Sequence, residues 1–341
     1  MSSEYPAACG GDPLFLLVLN IAGVALFEYG YNWAFVEVNT ILITSFIVHV
    51  AYQYFSESSK NRFLQKAFSQ YINKSLLQKL LQNQEPLKLG GEKKEMTVLF
   101  SDIRGFTTLS ESKTPEELIA IINLYLEKMC NVILENNGTI DKFIGDAIMA
   151  FWNAPLDDLD HFSNAIKTSL QMQNALIQFN REQDLDIKIG IGVNSGDMVV
   201  GNVGSLSRFD YTVLGDNVNL GSRLEGLTKQ YGITTLVSDS TVQYFNQNKQ
   251  NEIIFRLVDE VIVKGKNIAI KIYEPMQNTS QNLNLKNEYE KAFKMYQKGE
   301  MDKAKVIFEK LDYDSVSLTM LKRLDLIDLN NWSGVWKWTE K

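Results

Sequence analysis

The chain has 341 residues, 45% hydrophobic and 22% charged, enough for about two folded units. Its net charge of −7 argues against a general nucleic-acid-binding surface, so no nucleic-acid partner is expected. The two cysteines, Cys9 and Cys130, sit in unrelated contexts, which argues against a disulfide framework and fits a reducing compartment.

No Lys or Arg precedes Lys60, and that region carries two apolar runs, residues 13–27 and 33–55. The second is long enough to cross a hydrocarbon core of ~30 Å. Tyr29, Tyr31, Trp33, Tyr52 and Tyr54 lie near the ends, as interfacial aromatics do. Lys60, Arg62 and Lys66 follow, which places the rest of the chain on the cytoplasmic side. The expectation is a short N-terminal segment, 1–12, then a transmembrane helical hairpin over 13–56 with membrane lipid as a partner. A pair of buried soluble helices is the alternative.

Residues 57–91 read as connector helices. Phe63, Leu64, Ala67, Phe68, Tyr71 and Ile72 recur at helical spacing, and Pro86 and Gly90-Gly91 break the pattern. From there strands and helices alternate. Residues 96–100 predict a strand. Thr114-Pro115-Glu116-Glu117 opens a long helix that Gly138 ends. Residues 139–144 and 147–151 predict a hairpin about Gly145-Asp146. A second long helix is expected over 157–183, a strand ending near Val193, a return strand over 197–203 after Ser195-Gly196, and a helix near 217–231. Strands near 233–237, 253–263 and 269–275 complete the unit. The order gives an α/β (α+β) fold with a ferredoxin-like βαββαβ core over 92–276. Residues 277–287 are polar and read as a linker. Two short helices about Gly299 then resemble one tetratricopeptide unit, which must dock on its neighbour because a single repeat cannot bury its own face. Trp332, Trp336 and Trp338 are expected to pack.

Two acids stand out. Asp102 ends the apolar run Val98-Leu99-Phe100, and Asp146 sits at the hairpin tip. A charged strand tip is costly unless something pairs it. Two neighbouring carboxylates suit magnesium, which takes a few carboxylates together with substrate phosphates. The turn Gly105-Phe106-Thr107 can aim backbone N–H groups at a phosphate. The bland reading of either acid alone is a helix-capping aspartate. Asp210, Asp216 and Glu225 read as structural, and His49 and His161 show no metal spacing.

Together FSDIRGFT, DKFIGDAIMAFW and YTVLGDNVNLGSRLE resemble the class III nucleotidyl cyclases, in register and order, across 92–276. The N-terminal layout is similar to the last part of bacterial membrane-bound cyclases that carry an extracellular CHASE-type sensor, with no room here for the sensor. The resemblance implies conversion of ATP to 3′,5′-cyclic AMP and pyrophosphate, at a head-to-tail homodimer interface, on the cytoplasmic side of a bacterial inner membrane. It implies two divalent cations, Mg or Mn, held by Asp102, Asp146 and the Ile103 carbonyl. It assigns Asn219 and Arg223 to ribose orientation and transition-state stabilisation, Lys264 to the triphosphate, and Lys142 with Thr212 to the purine. Thr212 departs from the Asp found in many adenylyl cyclases. The alternatives are a guanylate cyclase, against which Lys142 argues, and a catalytically silent cyclase-like module.

Overall fold

The computed structural model describes residues 21–30, 40–55, 89–247, 252–263, 268–328 and 332–338, apart from 22, 26, 42 and 54. The chain divides into two compact units, residues 1–72 and 73–341. In the first, the described residues within 21–28 and 40–55 are helical. No helix among the described residues is long and apolar enough to cross a membrane. The hairpin expected over 13–56 is therefore not shown, and much of it lies outside the described residues. So does most of the connector.

Among the described residues the second unit is built on one nine-stranded sheet. Its strands are β1 (Gly90–Arg104), β2 (Thr139–Ile144), β3 (Ala147–Trp152), β4 (Lys188–Ser205), β5 (Arg208–Leu214), β6 (Thr235–Ser238), β7 (Ile253–Ile262), β8 (Ile270–Gln277) and β9 (Trp336–Lys337). They lie in the order β2-β3-β1-β4-β6-β8-β7-β9, with β5 paired to β4. The first four keep the ferredoxin-like order, and their mutual ladders are antiparallel.

Successive side chains of β1 serve opposite faces. Leu99 and Ile103 join the core under α2 (Pro115–Glu135) and α3 (His161–Gln183). Met96 and Val98 join a second core with Val200, Val213 and Val218. On that side α4 (Asp216–Tyr231) lies so close to the sheet that a Cβ at Gly192 would come within 2.3 Å of the Gly221 carbonyl oxygen. The α2 start is as its sequence requires. Thr114 accepts from the Glu117 N–H, and the Glu117 carboxylate accepts from the Thr114 N–H.

Several expectations need correction. The strand expected over 96–100 runs from Gly90 to Arg104, so Gly90-Gly91 begins a strand. A side chain at Gly91 would collide with Val199 across the ladder. Ser195-Gly196 is no turn, because β4 continues through it, paired to β1 along its length. After β6 comes the short α5 (Asp239–Gln247), and residues 277–287 are no linker: Thr279 caps α6 (Ser280–Gln297), which begins directly after β8. Asn and Gln made that segment read as a loop, but most of it forms the largely exposed first half of a helix whose second half buries one face through Tyr289, Ala292, Phe293 and Tyr296.

After α6 come α7 (Met301–Lys310) and α8 (Ser315–Leu324). The helix pair about Gly299 is present, but these helices share a core with the sheet and with α4. Tyr289, Phe293, Tyr296, Phe308 and Met320 pack with Leu220, Leu224, Leu227 and Tyr231. Trp332 donates to the Tyr296 carbonyl, and Trp336 and Trp338 flank Arg323. Cys130 is a half-buried free thiol, pushed up to about 11 by burial. His161 is buried, with its Nδ1 2.7 Å from Thr97 Oγ1.

Candidate active site

The two sequence-predicted aspartates come together. β1 pairs with β3 as far as Ser101 opposite Ile148, so the next residue, Asp102, reaches the level of the β2–β3 loop. That loop is Gly145-Asp146, closed by Ile144 opposite Ala147. Gly145 has φ 67°, the left-handed conformation that such a two-residue turn asks of its first position. Burial and the negative charge of Asp102 raise Asp146 from 3.8 to about 6. Its Oδ2 is buried with no hydrogen-bond partner. Among the described residues no group of three or more His, Cys, Asp or Glu forms a cation cage. Two carboxylates, one disfavoured as an anion and one of its oxygens unsatisfied, fit a hard cation that draws its other ligands from a phosphate-bearing substrate. Gly105, with φ 68°, then turns the chain into α1 (Phe106–Glu111), which places Phe106 and Thr107 directly beyond Asp102.

Asn219 and Arg223 lie one turn apart on α4, Asn219 exposed and Arg223 half-buried. Arg223 Nη1 is buried and has no hydrogen-bond partner. A guanidinium nitrogen shielded from water and left unbonded is costly unless an anion completes it. The helix is fixed to β1, the strand that carries Asp102, by a residue the sequence reading passed over. Arg104, at the end of β1, donates to the Glu225 carbonyl at 2.9 Å, lies 3.2 Å from the Glu225 carboxylate and donates to Thr228. Glu225, expected to be structural, is engaged by Arg104 through both its carbonyl and its carboxylate.

Lys142 and Thr212 also meet, through a second residue that sequence reasoning missed. Thr212 Oγ1 donates to Asp141 Oδ2 at 2.5 Å, and Lys142 Nζ lies 3.3 Å from Asp141 Oδ1. Adjacent strand residues normally face opposite ways. Here the β2–β3 register slips between Ile140 and Lys142, a bulge that leaves Asp141 as the extra residue and lets both side chains act on one side. The only sequence signal was an acid next to a lysine in a strand. Lys264 lies outside the described residues.

Residues 90–277, more than half of the chain, match the adenylate and guanylate cyclase catalytic domain. The chain belongs to that family. An adenylate cyclase of Anabaena cylindrica is 44% identical over 190 residues, 53% of this chain and 36% of that protein. Adenylate cyclase 1 of Rhizobium meliloti is 35% identical over 211 residues, 61% of this chain and 31% of that protein. The chain thus spans about a third of the length of these relatives. Among solved structures, the adenylyl cyclase CyaB of P. aeruginosa gives a TM-score of 0.51 at 32% identity, covering 56% of this chain and 98% of that one. A bacterial light-regulated adenylyl cyclase gives 0.55 at 25% identity, covering 71% and 68%.

Proposed function

We propose that the protein is a membrane-tethered adenylate cyclase that works as a head-to-tail homodimer. The observation that carries this reading is the state of its charges. Asp102 and Asp146 meet at adjacent strand tips, and Arg223 keeps a buried nitrogen unbonded, in a chain of the cyclase family. The 3′-hydroxyl of ATP gives up its proton to water, its oxygen bonds the α-phosphorus, the bond from that phosphorus to the oxygen bridging to the β-phosphate breaks, and pyrophosphate leaves. When bound, two Mg or Mn ions would make the 3′-hydroxyl more acidic and offset the triphosphate charge. Asp102, Asp146 and the Ile103 carbonyl would hold them, and the turn at Gly105, Phe106 and Thr107 would receive phosphate oxygens, with Lys264 beside the triphosphate. Arg223 meets the charge that grows on the α-phosphate, and Asn219 orients the ribose.

Lys142 and Thr212 would bind the purine, donating to a ring nitrogen and accepting from the exocyclic amine. Lys142 lies only four residues from Asp146 along one hairpin, roughly 13 Å of strand at 3.3 Å per residue. One copy's purine reader and another copy's metal pair would then form each of two equivalent sites.

The membrane reading rests on the helical stretch 40–55. Ile41, Ile43, Phe46, Ile47, Val48 and Val50 are all exposed there, and the stretch contains no Asp, Glu, Lys or Arg. Large apolar side chains exposed in such number are covered by lipid or by another apolar partner.

The test is turnover by the full chain in detergent with ATP or GTP and Mg or Mn, the cyclic product identified by mass. Cyclic AMP from ATP is expected, with the activity sedimenting with membranes before detergent is added. Cyclic GTP as the main product would refute the adenylate reading, no product from either would favour a silent module, and fully soluble activity would refute the tether.

A further inference from the structure

The Asp141 carboxylate has no role in the reading given so far. Its side chain is wholly buried, yet it is placed beside the purine-reading pair by a bulge rather than by regular strand geometry. A bulge next to a site re-aims a side chain at the expense of a ladder position. What it re-aims here is a hydrogen-bond acceptor.

A threonine hydroxyl is ambivalent: it can donate through its hydrogen or accept through its lone pairs. Facing a purine, that ambivalence is a defect. Adenine presents an amine at its 6-position and guanine or hypoxanthine a carbonyl oxygen. A freely rotating hydroxyl can satisfy either. An ionised carboxylate removes the choice because it only accepts. Burial raises the Asp141 carboxyl above its ordinary value, and the Thr212 hydroxyl and Lys142, 3.3 Å from Oδ1, oppose that by favouring the ionised form. The Thr212 hydrogen is taken by Oδ2 at 2.5 Å, which leaves Thr212 Oγ1 with lone pairs alone.

We propose that Asp141 sets the base specificity of this site by holding the Thr212 hydroxyl as an acceptor, so that a 6-amino purine is bonded and a 6-oxo purine is rejected. Asp141 is a positioning residue: it acts through Thr212 and does not touch the base. The proposal rests on the adenylate cyclase reading, in which Thr212 faces the 6-position. It also accounts for the departure at 212. An aspartate there would be an acceptor by its own charge, whereas threonine becomes one only with a carboxylate behind it. The acceptor is thus built from two residues, Asp141 and Thr212, on strands that are not paired with one another.

The experiment compares kcat/KM for ATP with that for inosine triphosphate, which carries a 6-oxo group and lacks the 2-amino group of GTP. The full-length protein and its Asp141→Asn, Thr212→Val and doubly substituted forms are measured, each shown to be folded by its melting curve. The starting protein favours ATP. Asp141→Asn, nearly isosteric, lowers the ATP-to-inosine-triphosphate ratio by about tenfold or more, because its amide can donate to Thr212 and turn the hydroxyl outward. In the Thr212→Val background the same change leaves the ratio where Thr212→Val alone puts it. An unchanged ratio in folded Asp141→Asn overturns the proposal. So does an equal fall in both backgrounds, which would trace the effect to Lys142. If Asp141→Asn does not fold, Asp141→Ser is read by the same criteria. A starting protein that uses inosine triphosphate as well as ATP also overturns the proposal, whereas cyclic GTP as the main product defeats the adenylate reading itself, a result distinct from these failures.

Discussion

The two ends of α4 use the same residue types to opposite effect. Toward its middle and N-terminal half the helix carries Asn219 and Arg223, and Arg223 keeps an unbonded buried nitrogen. At its C-terminal end Tyr231 donates to Asp259, Arg323 pairs with the same carboxylate, and Trp338 Nε1 lies 3.2 Å from the Tyr231 hydroxyl. The Arg323 guanidinium sits 4.7–4.9 Å from the ring centroids of Tyr231, Trp336 and Trp338. Nearby, Arg256 pairs with Asp314 and Glu274. Both regions bury charge. Where the charge is paired and covered by aromatic rings it anchors the C-terminal helices. Arg323 Nε and Nη2 and Arg256 Nε also lack a hydrogen bond, so the difference lies in the carboxylates: Arg323 pairs with Asp259 and Arg256 with Glu274 and Asp314, whereas among the described residues no carboxylate pairs with Arg223, which leaves it free for an anionic ligand.

The largest test of this contrast compares two arginines. Arg323→Met leaves Asp259 buried and unpaired, which costs about 3–5 kcal/mol and lowers the melting temperature sharply. Arg223→Met leaves melting nearly unchanged and lowers kcat by about a hundred- to a thousandfold. Equal melting losses in the two variants would erase the distinction.

A smaller effect follows from Asp146. Its carboxyl is raised from 3.8 to about 6, so its ionisation in the folded state costs nothing below pH 4, costs progressively more from pH 4 to 6, and costs in full above 6. Without metal, Asp146→Asn therefore raises the melting temperature, more at pH 7 than at pH 4. Added Mg or Mn raises the melting temperature of the starting protein at pH 7 and much less that of the variant. A cation shift of equal size in both would remove Asp146 from the metal site.

The smallest expected effect is on base choice: Lys142→Glu with Thr212→Cys shifts the ratio of GTP to ATP turnover upward. An unchanged ratio would sink the assignment of these two residues to the purine.

The sequence revealed strands and helices wherever one periodicity ruled a segment, as in α2 with its Thr114 capping box, or the hairpin about Gly145-Asp146. Asp102, Asp146, Asn219, Arg223, Lys142 and Thr212 were visible through long motifs. Asp141 was not, because its importance lies in a one-residue register slip that no local pattern records. Arg104 was missed for a similar reason: its partners Glu225 and Thr228 are more than a hundred positions away. Composition misled at 277–287, where the Thr279 cap and burial farther along α6 outweigh the low helix preference of Asn and Ser. It misled again at Gly196, which pairing with β1 holds extended.

The central claim is that each site joins incomplete groups from two copies of the chain. Its most direct test mixes Asp102→Ala with Arg223→Ala, each nearly inactive alone, and follows cyclic AMP formation after the subunits exchange. Random pairing of equal amounts gives mixed dimers in half of cases, each with one intact site, so activity returns to roughly a quarter of that of the unsubstituted protein. Failure to recover activity, with exchange shown by differently tagged subunits, would contradict the shared site and return both residues to a single chain.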